Sequence, residues 1–416
     1  MLGKPRGHTA PALALLAPTV HRFTQSRQPG GPHGGDSSGR WNPTDTFAMK
    51  VTVEQAALLK ALGHVHRVVE RRNTIPILAN VLLRASDGQL ALKATDLDID
   101  IVETIAANVT QEGTTSVPAH VLHDIVRKLA DGAQVSLEQD GQAGQVTLRS
   151  GRSRFSLQTL PESDFPDLAP GEMSHRFDVA AADLRLLIEK TQFAISTEET
   201  RYYLNGIYLH VIDGKLRAVA TDGHRLALAD VAAPAGASGM PGVIVPRKTV
   251  SELLKLVSEA SDAVTVELSS VKIRVSTGAV VLTSKLIDGT FPDYQRVIPQ
   301  RNDKLMIVER DEFARSVDRV STISSERGRA VKFVLGDGRL TLSVHNPDAG
   351  QATEELLVDY EASPLEIGFN ARYLLDIVSQ LEGDTALVKL FDSGSPTLIQ
   401  DREGAASLYV LMPMRV

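Results

Sequence analysis

Six consecutive residues, Thr221-Asp222-Gly223-His224-Arg225-Leu226, place a carboxylate two positions from an imidazole, a pairing that a hydrolytic centre or a metal site could use. Neither reading finds support elsewhere in the chain. A hydrolase needs a nucleophile beside its base, a metal needs further ligands at fixed spacing, and a nucleotide enzyme needs a phosphate-binding glycine loop; none stands at such spacing. The chain contains no cysteine, so thiolate ligands and disulfides are excluded and a reducing compartment, hence the cytoplasm, is compatible. Asp222-Gly223 reads more simply as a tight turn. No catalytic residue, metal or cofactor is expected.

The other chemistry on offer is cationic. Basic side chains recur on and beside six segments of helical periodicity: Lys60, Arg67, Arg71 and Arg72; Arg127 and Lys128; Arg185 and Lys190; Arg247, Lys248 and Lys255; Arg315, Arg319, Arg327 and Arg329; and Arg372. For any one helix, lysine and arginine on the outer face merely solvate it. Repetition over six is a different observation, because the 416-residue chain as a whole carries a formal net charge of -7. That balance argues against a simple basic nucleic-acid-binding protein, and any contact with phosphates must rest on local charge. If the copies surround an axis with their helices inward, the cations line one cavity and the acidic excess falls outside.

The elements that must position these residues come in three copies. Asp-Gly turn signals stand at Asp87-Gly88, Asp213-Gly214 and Asp337-Gly338, spaced by 126 and 124 residues, and each follows an alternating apolar strand. Val117-Pro118-Ala119 and Val245-Pro246-Arg247, each opening a helix, are 128 apart; Phe165-Pro166-Asp167-Leu168 and Phe291-Pro292-Asp293-Tyr294 are 126 apart. Three markers in one order at nearly one spacing make a triplication the simplest account. Within each copy an apolar strand, an amphipathic helix and several short strands are written twice. Apolar stripes run through Leu58, Leu62, Val65 and Val69, through Leu184, Leu187, Ile188 and Ile195, and through Phe313, Val317 and Val320. The second helices carry Leu122, Ile125, Val126 and Leu129, then Val250, Leu253, Leu254 and Val257, then Leu374, Ile377, Val378 and Leu381. One apolar face per helix predicts an α+β fold, two helices on antiparallel sheet in every copy.

Residues 1–48 differ from the rest: Gly, Pro, Ser, Thr and His dominate, and such a stretch builds no core. Its apolar run Ala10 to Val20, behind Lys4 and Arg6, weakly resembles a signal-peptide core but is broken by Pro11 and Pro18. The segment reads as a disordered extension, a tag or an over-long reading frame, and the first ordered pattern begins at Met49. No apolar stretch reaches the roughly 20 residues that cross a bilayer.

Arg201-Tyr202-Tyr203-Leu204-Asn205-Gly206, Thr221 to Leu226, Phe291-Pro292-Asp293-Tyr294 and the terminal Met412-Pro413-Met414-Arg415 together resemble the bacterial DNA sliding clamp, the β subunit of DNA polymerase III, from Met49 to Val416. The resemblance implies three clamp domains, here 49–170, 171–300 and 301–416, in a head-to-tail homodimer that closes a six-domain ring. Packing arithmetic agrees: a domain of about 123 residues is about 35 Å across, and six such spheres enclose a hole about 35 Å wide where four leave about 14 Å. A duplex about 20 Å wide passes only the larger.

By the same resemblance, the ring slides on duplex DNA without reading its sequence and tethers polymerases, the clamp loader and repair proteins through a groove for short peptides. Arg201, Leu204, Thr221, Gly223, His224, Arg225, Leu226, Pro292, Arg296, Val297, Val410, Met412, Pro413, Met414 and Arg415 are its expected residues. Met-rich, polarizable walls suit varied partners. Arg72, Lys248, Arg329, Tyr202 and Tyr203 are expected near DNA, the two tyrosines also at the second part of the peptide groove, although Thr197 and Glu198 replace the His and Gln of the enterobacterial relative beside that loop. Arg152, Phe155 and Leu157 on an edge strand are expected to meet Thr322 and Ile323 of a second copy, since an apolar edge is a liability unless paired. A β-rich repeat scaffold that binds peptides without DNA would explain the triplication and groove, but not the basic helices; a hydrolase built on Asp222 and His224 would explain one loop.

Overall fold

The computed structural model describes residues 49–139, 144–168, 171–324 and 329–415. The segment 1–48 and Arg327 lie outside the described residues. Six α-helices occur among the described residues: α1 Gln55–Val65, α2 Ala119–Arg127, α3 Ala181–Thr191, α4 Arg247–Glu259, α5 Arg310–Ser321 and α6 Ala371–Val378. They pack in the pairs α1–α2, α3–α4 and α5–α6. The stripes read from the sequence are the buried faces, with Leu58, Leu122, Leu187, Leu253, Phe313 and Leu374 in the core. Four stripes run past their helices: α1 stops at Val65, α2 at Arg127, α3 at Thr191 and α6 at Val378, so Val69, Ile195 and Leu381 are buried, and Leu129 half-buried, from the segments that follow. Pro118 and Pro246 sit at the N-caps of α2 and α4, where a residue without a free N–H costs the helix nothing. At α6 the Asn370 side chain accepts from the N–H groups of Arg372 and Tyr373.

The Asp-Gly signals are all two-residue hairpin turns with positive φ at both positions: 52° and 72° at Asp87-Gly88, 51° and 70° at Asp213-Gly214, 51° and 71° at Asp337-Gly338. They close Ser86 on Gln89, Ile212 on Lys215 and Gly336 on Arg339. Turns of this type match the right-handed strand twist, so each fixes the register of its hairpin.

The sheets do not respect the repeats. One eight-stranded sheet joins strands 175–180, 263–268, 272–277 and 280–285 to strands 99–106, 89–95, 80–86 and 113–118; a second joins 243–246, 206–212, 215–221 and 225–232 to 407–411, 397–400, 385–390 and 304–309. The seams are the antiparallel pairs of 280–285 with 99–106 and of 225–232 with 407–411. What remains is a five-stranded sheet ending in the edge strand Ser153–Gln158 and a four-stranded sheet ending in the edge strand Gly350–Leu357. At these edges Phe155 is exposed, and Leu357, 77% exposed, is the barest large apolar side chain described. Leu157 departs from the expectation of an open apolar edge: it shares a strand face with Phe155 but packs into the hydrophobic core of its own chain, where Phe155 does not.

Candidate functional site

The loop between strands 215–221 and 225–232 is held by its own side chains. Asp222 Oδ1 accepts from the N–H groups of His224 (2.9 Å) and Arg225 (3.0 Å), Thr221 Oγ accepts from Gly223 N–H at 3.1 Å and donates to Arg225 C=O at 2.7 Å. The carboxylate that could have served chemistry is spent on turn geometry. Its other oxygen faces Arg225 Nε at 3.2 Å, and Arg225 continues to Asp376 at 2.6 Å and to Phe193 C=O at 2.7 Å, while its guanidinium lies over the rings of Tyr373 and Phe193. Gly223 has φ 89°, and a Cβ there would stand 2.4 Å from Arg201 Nη1. That close approach lets Arg201 donate to Asp222 C=O at 2.8 Å.

Beside this loop opens a cavity of about 250 Å³, lined by Arg201, Tyr203, Leu204, Thr221, Gly223, Arg225, Leu226, Pro292, Asp293, Tyr294, Val297, Val410 and Met412. Its floor is a small apolar core of its own, in which Leu204, Val219, Leu226, Leu228, Ile244, Phe291, Tyr294 and Val410 pack together apart from the main one. Cross-strand pairing sets Leu226 against Val410, and the 3-10 turns Glu199–Leu204 and Tyr294–Val297 supply the walls. Val297 and Met412 are exposed at the rim. Of the expected groove residues the structure therefore brings together Arg201, Leu204, Thr221, Gly223, Arg225, Leu226, Pro292, Val297, Val410 and Met412.

The other five stand around that cavity without lining it. His224 stacks on Tyr373 with ring centres 6.0 Å apart, and its C=O accepts from Met412 N–H. Arg296 is exposed and paired with Asp293 at 2.7 Å. Pro413 is half-buried, Met414 N–H reaches Gly368 C=O at 2.8 Å, and Arg415 is exposed. Sequence reasoning left out Asp293 and Tyr294 as cavity walls, although both belong to the repeated Phe-Pro-Asp marker; Tyr203, expected near DNA and the second part of the groove, lines this cavity.

Tyr202 is 54% exposed next to Tyr203, their rings edge to face at 5.8 Å. Glu198 takes a two-pronged contact from Arg201, at 2.8 and 2.6 Å, which holds its carboxyl below the usual range. Thr197 is exposed. Among the expected DNA-facing cations, Arg72 is exposed and Arg329 half-buried with φ 42°. Lys248 differs from a free cation: it bonds Asp96, lies 3.4 Å from Glu70 and donates to Val68 C=O, and these partners outweigh burial in raising its pKa. Lys190 on α3 is likewise tied to Glu382 at 2.7 Å. At the expected seam Thr322 caps α5, Ile323 follows half-buried, and Arg152 is exposed.

Among the described residues no helix is long and apolar enough to cross a membrane. Three family models cover the chain in order: DNA polymerase III beta subunit, N-terminal domain over residues 49–169, central domain over 178–293, and C-terminal domain over 295–415. The chain is 54% identical over 372 residues to the beta sliding clamp of Caulobacter vibrioides, and 40% identical over 371 to that of Escherichia coli K12; each match covers 88% of this chain and all of the relative. Among solved structures, the DnaN sliding clamp of Bartonella birtlesii bound to griselimycin superposes with a TM-score of 0.86 at 55% identity, covering 89% of this chain and 100% of that one. The griselimycin-bound clamp of Pseudomonas aeruginosa gives 0.85 at 40% identity with the same coverage.

Proposed function

We infer the function from one fact: this chain belongs to the family of DNA polymerase III beta subunits, the beta sliding clamps. It is a processivity factor of DNA replication, a non-catalytic subunit whose partners are DNA and polymerase. We propose that it acts in the cytoplasm as a head-to-tail homodimer closing a ring of six domains, with domains at 49–170, 171–300 and 301–416 behind an extension, 1–48, that takes no part.

The observation that carries the ring is the pair of open edges. At both internal junctions the strand after an Asp-Gly hairpin, 99–106 or 225–232, pairs with the last strand of the next repeat, 280–285 or 407–411. The third strand of the first kind is Gly350–Leu357 and the third of the second kind is Ser153–Gln158, and both are edges. Transferring the register, in which Leu282 faces Ile101 and Tyr409 faces Ala227, sets Phe155 opposite Ala352 of a second copy and Arg152 opposite Glu355. Covering Phe155 at each of two seams is worth about 1.5 to 3 kcal/mol per seam.

DNA would pass along the helices, met by Arg72, Lys248, Arg329, Tyr202 and Tyr203 through phosphates, loosely enough to slide. The fifteen groove residues would hold, by turns, the short motifs of polymerases, clamp loader and repair proteins, with Met414 as a movable gate. The test is retention: protein loaded on nicked circular DNA should stay bound at moderate salt and run off when the circle is cut. Equal retention on linear DNA would overturn encirclement and leave a peptide-binding scaffold with ordinary surface affinity.

A further inference from the structure

The wall that carries Pro292, Asp293 and Tyr294 is held from behind by a polar network outside the groove. Tyr294 is 5% exposed, and its hydroxyl lies 3.0 Å from His210 Nε2 and 3.2 Å from Arg217 Nη1. An arginine only donates, so the tyrosine oxygen accepts from Arg217, and a His210 Nε2 without a proton is the acceptor that pairs the buried hydroxyl as well. Arg217 is fixed in turn by a two-pronged bond to Asp230, 2.6 and 2.8 Å, which raises its already high pKa. His210 stacks on Tyr208 at 4.6 Å, and Tyr208 stacks on Phe291 at 4.9 Å with the rings 5° from parallel. The groups facing His210 are thus Tyr208 on its own strand, Arg217 and Asp230 on the next two strands, and Tyr294 on the 3-10 turn. Burial, then the nearby Arg217 cation, holds its pKa below the ordinary value of 6.5.

The equivalent positions of the first repeat, 126 residues earlier, are Arg84 for His210, Ala91 for Arg217, Thr104 for Asp230 and Leu168 for Tyr294. The network therefore stands behind the junction with a cavity and not behind its counterpart. We propose that His210, Arg217 and Asp230 are positioning residues for the peptide groove: they fix the Tyr294 turn, and protonation of His210 releases it. This rests on the groove reading above. A second proton on His210 reverses that bond: the Tyr294 oxygen then accepts from two cations side by side, and its own hydroxyl proton, in a site 5% exposed, is left without this acceptor, which weakens the anchor of the turn. Because the folded pKa is depressed, the anchor is fully present above pH 6.5 and is lost as pH falls through the lower folded value.

The experiment titrates a fluorescent peptide ending in a leucine and phenylalanine anchor against the full chain from pH 7.5 downward to the lowest pH at which the fold persists by circular dichroism. Wild type should weaken about tenfold on acidification, about 1.4 kcal/mol. His210→Gln keeps a carbonyl acceptor but does not titrate, so it should bind near wild-type strength at pH 7.5 and lose most of the pH dependence; the difference between the two profiles separates His210 from His224 at the groove. Tyr294→Phe, which keeps the ring and drops the hydroxyl, should bind about threefold to tenfold more weakly at pH 7.5, in the range of one lost hydrogen bond. Parallel profiles for wild type and His210→Gln, together with unchanged affinity in Tyr294→Phe, would overturn the inference. Leu226→Asp distinguishes the two failures: if it binds as wild type does, the groove reading itself falls.

Discussion

The two internal junctions are built on one plan and differ at the few positions that form the floor of the proposed groove. Where the second junction sets Leu226 against Val410, the first sets Asp100 against Thr283. Where the second has Val219 and Ile244, the first has Lys93 and Ser116. Lys93 lies 3.0 Å from Asp100 and 2.5 Å from Asp167, and the Leu168 N–H donates to Asp100 at 3.2 Å. Burial pulls the Lys93 pKa down, but the Asp167 hydrogen bond and the Asp100 charge more than reverse it. An ion pair thus fills the place where the other junction has an apolar floor. The loops differ in the same direction: Leu97 occupies, at φ 81°, the position that Gly223 holds at 89°, so the approach that admits Arg201 to the groove is blocked by a side chain. One triplicated scaffold yields one groove because a buried charge pair needs its mutual contact, whereas apolar walls tolerate a gap for a guest.

Breaking the plug should give the largest effect. Lys93→Met leaves Asp100 buried without its cation and should cost about 3 kcal/mol or more, read as a lower urea midpoint. Replacing the pair together, Lys93→Val with Asp100→Leu, should recover most of that loss, since an apolar pair of similar volume has no charge to desolvate. A single variant as stable as wild type would remove the ion pair from the account of this junction.

Moving the plug into the groove comes next. Val219→Lys, Leu226→Asp and Val410→Thr together should weaken the fluorescent peptide at least a hundredfold, about 2.7 kcal/mol. Near-ultraviolet circular dichroism checks that the second repeat keeps its packing. Retained affinity would show that the apolar floor does not carry recognition.

The smallest effect lies at the back of the first junction. There His64 of α1 faces Glu103 at 2.6 Å through Nδ1 and Glu259 of α4 at 2.9 Å through Nε2, so the protonated ring donates from both nitrogens to two carboxylates. The hydrogen bond to Glu103, opposed by burial and helped by Glu259, raises its pKa above 6.5. A raised folded pKa means that the contribution is complete below pH 6.5 and fades as pH rises through the folded value. Since Glu259 is partly in solvent, the loss should be on the order of 1 kcal/mol. Melting temperatures of wild type and His64→Gln should converge toward high pH; a constant gap would deny the titration.

Much of this architecture was legible in the chain because its signals are local. The Asp-Gly turns demand positive φ at two adjacent residues, the helix N-caps tolerate proline's missing N–H, and the helix stripes follow the 3.6-residue period. What escaped depends on partners distant in sequence. Alternation marks Phe155 and Leu157 as one face but does not say which core covers the second. Lys248 reads as a surface cation until Asp96 and Glu70 are folded against it from another repeat. The groove came from resemblance. Its missing walls, Asp293 and Tyr294, and its polar backing through His210 and Arg217 appear only once strands far apart in sequence lie side by side.

The two open edges have a consequence for how the protein stores and ages. Unlike edges on one chain form a heterologous contact, which adds copies without limit unless the rotation per copy brings the chain of contacts back on itself. In the proposed dimer that rotation must be a half turn, and it is set by the angles at the two covalent junctions. A junction loosened by losing its ion pair, as in Lys93→Met, therefore threatens more than stability. The same edge that seals a closed pair would then recruit a third copy and a fourth, and concentrated samples would grow linear polymers visible by light scattering long before the fold itself melts.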